Sequence, residues 1–188
     1  MNRLARVLVR AGLSADQITL AGFLAGLVAA VLIANSLYVA GAVAIFLSRL
    51  LDALDGAVAR LSQPTDRGAF LDIALDFLFY ASIPLAFALA DPARNALAAA
   101  VLLAAFIGTS TSFLAFAVMA AKRGLHSADY PDKSFYFLGG LTEATETLAC
   151  FAAICVWPQY FAPLAYAFAA LCAATIATRL WWGWRTLS

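Results

Sequence analysis

The stretch ALAAAVLLAAFIGTSTSFLAFAVMAA, residues 96–121, contains no charged side chain. An α-helix rises about 1.5 Å per residue, so roughly 20 such residues cross the ~30 Å hydrocarbon core of a bilayer. In lipid the backbone must satisfy its own hydrogen bonds, which leaves only helices and closed barrels. A barrel needs short segments alternating polar and apolar residues, and no such alternation recurs along this chain. The run therefore predicts a transmembrane helix, and residues 162–177, also uncharged, predict another. The whole composition agrees: of 188 residues, 64% are hydrophobic and 12% charged, with a mean hydropathy of +0.88. Soluble domains are only about half apolar.

Working outward, polar breaks at 35–37, 62–66, 91–95, 122–133 and 157–163 divide the chain into six expected transmembrane helices. They cover residues 18–33, 38–61, 68–89, 96–121, 135–156 and 163–182. Before them, Arg3, Arg6 and Arg10 alternate with Leu4, Val7, Leu8 and Ala11. That pattern reads as a short amphipathic interfacial helix rather than a cleavable signal peptide. The fold class is thus an all-α membrane protein, and with no repeat or long linker, residues 1–188 read as a single membrane domain.

Lys and Arg near span ends are retained in the cytoplasm. Arg3, Arg6, Arg10, Arg60, Arg67, Lys122, Arg123, Lys133 and Arg185 fall on the side of the termini, Arg49 and Arg179 inside spans, and Arg94 alone opposite. Both termini are therefore expected in the cytoplasm, with Trp181, Trp182 and Trp184 at the inner interface. A net charge of +1 offers no basic surface for nucleic acid. Cys150, Cys155 and Cys172 lie in apolar runs without zinc-site spacing and read as packing residues.

Carboxylates are the anomaly. Asp52 and Asp55 lie near the end of the second span, and Asp72 and Asp76 one to two turns into the third. An Asp at mid-span costs about 2.5–3.5 kcal/mol on insertion scales, less near an interface, so such groups persist when paired, hydrated or functional. Spacings of i,i+3 and i,i+4 put each pair on one face of its helix, and the short connection makes the helices antiparallel neighbours. Two facing pairs form an oxygen-rich site suited to Mg²⁺ or Mn²⁺, since like charges this close repel without a cation among them. The plain alternative has Asp52 and Asp55 neutralising Arg49 and Arg60 while Asp66 caps the third span, but it leaves Asp72 and Asp76 with no cation along their own helix. Gly56, Ala59 and Gly68 suit close helix packing, or leave room for a flat nucleotide beside Arg60, a forked phosphate donor.

Taken together, Asp52-x-x-Asp55-Gly56-x-x-Ala59-Arg60 followed by Gly68-x-x-x-Asp72-x-x-x-Asp76 resembles the signature of the CDP-alcohol phosphotransferase family, with all eight fixed residue types present. The resemblance implies a six-helix fold in a bacterial inner membrane, a cytoplasmic active site, and commonly a homodimer. It further implies transfer of a phosphatidyl-type group from a CDP-linked lipid such as CDP-diacylglycerol to an alcohol acceptor, with release of CMP. Carried over by residue, Asp52, Asp55, Asp72 and Asp76 hold two divalent ions, Asp76 is also the catalytic base, and Gly56, Ala59 and Arg60 line the CDP site. Gly68 would keep the third span near the cluster. Two departures stand out: the stretch between Arg60 and Gly68 is one residue shorter than usual, and Thr19 alone matches the usual entry to the first span. Residues 133–143, KSFYFLGGLTE, are similar to a bacterial inner-membrane branch of the family.

Other polar groups leave alternatives open. Lys122, Arg123 and Lys133 suit an anionic acceptor or ordinary cytoplasmic charge. Glu143 and Glu146, with Thr142 and Thr147, suit a cavity stripe or an interhelical network. The run Thr109 to Ser112 is expected to bond its own helix carbonyls, and His126, with Asp129 and Asp132, to lie on an exposed loop. The competing function is a cation-coupled transporter or channel, against which the second half holds no counterpart of the aspartate pairs. A membrane prenyltransferase would need more spans, and a non-enzymatic scaffold would not need the four aspartates.

Overall fold

The computed structural model describes residues 2–124 and 141–188, and every regular element among them is helical. The elements are α1 (Asn2–Arg10), α2 (Ala15–Ala34), α3 (Tyr38–Leu61), α4 (Asp66–Ala90), α5 (Pro92–Lys122), α6 (Ala144–Val156), a 3-10 turn (Pro158–Tyr160) and α7 (Phe161–Thr186). Among the described residues, α2, α4, α5 and the stretch Pro158–Thr186 are long and apolar enough to cross a membrane. The helix α3 has the expected bounds, but Arg49 at its middle and Asp52, Asp55 and Arg60 beyond it keep it out of that group. The fifth expected span is described as α6, which begins only at Ala144 because residues 141–143 are not helical; its residues 135–140, together with His126, Asp129, Asp132, Lys133 and Ser134, lie outside the described residues.

Local chemistry sets the helix starts. The Ser14 hydroxyl accepts from the Gln17 N–H at 3.3 Å, and the Gln17 carboxamide accepts from the Ser14 N–H at 3.0 Å. This capping box opens α2 at Ala15, three residues before the hydropathic run. Thr65, rather than Asp66, caps α4, its hydroxyl accepting from the Gly68 N–H at 3.1 Å.

The chain forms two compact units, residues 1–92 and 93–188. In the first, α2 packs on α3 and α4, and α1 packs on α3. Ala5 of α1 is buried in one cluster with Ile18, Leu54, Ala57 and Val58, with Leu8 and Val9 packed against it. Gly22 and Gly26, one turn apart, bring α2 close to its neighbours. The Ser48 hydroxyl donates to the Gly22 carbonyl at 2.7 Å, a bond the missing side chain allows. A Cβ on Gly26 would come to 2.5 Å from the buried Phe79 ring and 3.2 Å from Ser48 Oγ. Gly26→Ala is therefore expected to destabilise the protein by about 1–3 kcal/mol, read as a lower thermal midpoint in detergent.

In the second unit, Phe106 meets Phe151 and Phe168 edge-on, at centroid distances of 6.2 and 6.3 Å. Cys155 and Cys172 are buried, Cys150 is half-buried, and all three are free thiols, as packing residues should be. Thr109, Thr111 and Ser112 bond carbonyls of their own helix. The Thr142 and Thr175 hydroxyls share a buried hydrogen bond of 2.9 Å that ties the entry of α6 to α7. Glu143 and Glu146 stand at the entry of α6. They are a capping box, with Glu146 Oε2 accepting from the Glu143 N–H at 3.0 Å, because carboxylates at a helix start satisfy its free N–H groups and meet its positive dipole end. The Arg123 guanidinium donates to the Leu187 carbonyl, and Lys122 ends α5 exposed.

Candidate active site

The site is built by the C-terminal half of α3 and the first half of α4. Turns of 3.6 residues put Asp52, Asp55, Gly56, Ala59 and Arg60 along one side of α3, and Asp72 and Asp76 on one side of α4. The structure brings Asp52, Asp55 and Asp72 together: each offers one carboxylate oxygen, and the three lie within 4.8 Å of one another. Asp55 is 6% exposed, and its Oδ2 is buried with no hydrogen-bond partner. An unmatched buried carboxylate oxygen is costly on its own. Two partly buried carboxylates beside it make the arrangement intelligible as a cation site.

Asp76 stands slightly apart. Its Oδ1 accepts from Arg49 Nη1 at 2.5 Å, and the same nitrogen lies 3.3 Å from Asp52 Oδ1. The Arg49 side chain is only 12% exposed, whereas Asp52 and Asp76 are each 32% exposed. Its guanidinium lies 4.0 Å over the Phe79 ring, and Nη2 donates to Ser48 Oγ at 3.2 Å. The plain reading of Asp52 as a partner of Arg49 is thus correct in part, but it omits that Arg49 bonds Asp76 more closely. Sequence reasoning missed that bond because it joins residues in different helices; the available signal was a cation one turn before Asp52 inside an apolar span.

The remaining expected residues divide. A Cβ on Gly56 would stand 3.4 Å from Arg60 Nη1, so the exposed Arg60 side chain runs back over the bare backbone of Gly56. Ala59 is half-buried beside it. Gly68 does not abut the carboxylates: the nearest atoms to its missing side chain are Asp16 Oδ1 at 3.1 Å and Thr65 Oγ1 at 3.2 Å. Its neighbour Arg67 donates to Asp16 Oδ2 at 2.6 Å, so Gly68 lets the start of α4 sit against the start of α2 rather than against the cluster.

With that geometry in view, the sequence profile of the CDP-alcohol phosphatidyltransferase family matches residues 13–182. The chain belongs to this family. It is a transferase of substituted phosphate groups, an enzyme rather than a transporter or channel. The inner membrane protein YnjF of Escherichia coli K12 is 52% identical over 187 residues, covering 100% of this chain and 91% of that protein. The archaetidylinositol phosphate synthase of Methanothermobacter thermautotrophicus is 46% identical over 70 residues, 37% of this chain and 36% of that one. Among solved structures, the Mycobacterium tuberculosis phosphatidylinositol phosphate synthase PgsA1 in complex with manganese and citrate superposes with a TM-score of 0.72 at 25% identity, covering 97% of this chain and 88% of that one. The same protein with CDP-DAG bound gives a TM-score of 0.70 at 23% identity, covering 97% and 92%.

Proposed function

We propose that this phosphatidyltransferase moves a phosphatidyl-type group from a CDP-linked lipid, CDP-diacylglycerol, onto an alcohol and releases CMP, in phospholipid biosynthesis. The observation that carries the proposal is the convergence of carboxylate oxygens of Asp52, Asp55 and Asp72 from two helices. Family membership supports the reaction class, and the solved relatives with CDP-DAG and with manganese support the donor and a divalent ion.

The donor set fits Mg²⁺ or Mn²⁺: the gathered atoms are carboxylate oxygens, with an unpartnered one on Asp55. Asp52, Asp55 and Asp72 would hold one ion, and Asp76 would join them for a second. Bound there, divalent metal supplies positive charge that offsets the diphosphate and the departing CMP. The Arg60 guanidinium donates to a phosphate oxygen, and the bare backbone at Gly56, with the small Ala59, leaves room for cytidine. Gly68 contributes indirectly, by fixing where α4 begins. Asp76 takes the proton of the acceptor hydroxyl as that oxygen bonds to the lipid-bearing phosphorus and the bond to the CMP oxygen breaks.

The proposal extends to the architecture. The whole chain acts as one membrane domain with six spans, counting α3 and α6, and with α1 at the interface. Its termini and site face the cytoplasm, as the Lys and Arg distribution favours, and it works as a homodimer in the bacterial inner membrane, as the YnjF relative suggests for location. Purified protein given CDP-diacylglycerol and a panel of alcohols, including glycerol and sugar phosphates, is expected to release CMP and form a new lipid only with Mg²⁺ or Mn²⁺ present. EDTA is expected to stop both. CMP-free turnover, or activity indifferent to EDTA, would refute the reading.

A further inference from the structure

Arg49 is the group at this site that the reaction above does not use. Its single Nη1 bridges Asp76 and Asp52, its guanidinium carbon lies over the Phe79 ring, and its Nε is buried without a hydrogen-bond partner. A guanidinium stays charged under any conditions the protein meets. It therefore supplies a fixed positive charge between one carboxylate of the gathered trio and the carboxylate assigned as base. One cation cannot balance four aspartates, and Asp55 keeps its unmatched oxygen in its presence. We propose that Arg49 is a built-in counter-cation that holds Asp52 and Asp76 in place in the metal-free enzyme and yields them when divalent metal binds. It is a positioning residue, and the inference rests on the reading of these aspartates as metal ligands.

The physics gives opposite signs for two observables. Without metal, losing Arg49 leaves Asp52 and Asp76 facing one another uncompensated, which destabilises the fold. With metal, the same loss removes a like charge a few ångströms from the ion, which strengthens binding. A residue that merely packs would lower both.

The test uses full-length protein in nanodiscs, with Mn²⁺ binding followed by electron paramagnetic resonance of the free ion and thermal midpoints measured in EDTA and in saturating Mn²⁺. Arg49→Gln is expected to bind Mn²⁺ about tenfold more tightly than wild type. Its midpoint should fall in EDTA and recover most of the difference in Mn²⁺, and half-maximal CMP release should need correspondingly less metal. Arg49→Lys, whose ammonium keeps the charge without the fork, should lie between the two, and it carries the test if the Gln variant does not survive in EDTA. Unchanged or weaker Mn²⁺ binding in the variants, with equal destabilisation in both conditions, would overturn the role of Arg49 while leaving the metal site standing. A wild type that binds no more Mn²⁺ than Asp55→Asn would overturn both readings.

Discussion

Asp76→Asn is expected to lower CMP release by about 10²- to 10⁴-fold, the usual contribution of a positioned general base. The amide keeps the shape of the carboxylate but cannot take the acceptor's proton. The three gathered carboxylates that would hold the first ion, the Gly56 backbone and Arg60 are untouched, and the amide oxygen of Asn can still face a second ion, so donor binding should change little. Arg49 loses its 2.5 Å partner but keeps Asp52 at 3.3 Å and the Phe79 face, so the variant should remain folded. The checks are the turnover number, KM for CDP-diacylglycerol and a thermal melt. Near-normal turnover would remove Asp76 as base, and a rise in KM at unchanged turnover would recast it as a binding residue.

Asp55→Asn is expected to have an effect at least as large, through a different step. Asp55 is the most buried carboxylate of the trio and the one with an unmatched oxygen. Losing its charge should weaken Mn²⁺ binding by about 100-fold or more and remove measurable transfer. Stability should move the other way. A neutral amide costs less to bury than a carboxylate with an unmatched oxygen, so the metal-free variant should melt no lower than wild type while its response to Mn²⁺ disappears. A variant that melts much lower in EDTA would mean that Asp55 is a structural anchor whose partner lies in the protein.

Much of this was legible in the sequence because bilayer physics is strict. Residues 38–61 read as a helix from hydropathy despite four charges, and α3 has those bounds. The i,i+3 spacing of Asp52 and Asp55, and the short link to α4, suffice to place the carboxylates on facing surfaces. Helix starts were less legible, because hydropathy marks the lipid-facing part of a helix and not its cap. The Ser14–Gln17 box and the Thr65 cap extend α2 and α4 beyond their apolar runs, and α7 continues to Thr186 through Trp182 and Arg185. For the same reason Glu143 and Glu146 read as part of a span when they open one. The resemblance ties Gly68 to the carboxylate cluster, whereas its nearest neighbours are Asp16 of α2 and the α4 cap Thr65, and the Asp16 contact is one that sequence spacing does not encode. The Arg49–Asp76 bond was equally hidden, since residues 27 apart meet only once α3 and α4 have packed.

Anomalous diffraction at the manganese edge, from crystals of the wild-type protein grown with Mn²⁺ and CDP-diacylglycerol, tests the central claim most directly. One or two peaks within coordinating distance of Asp52, Asp55 and Asp72, touching the diphosphate oxygens, is the predicted result. A diphosphate bound with no anomalous density among those three side chains would contradict it.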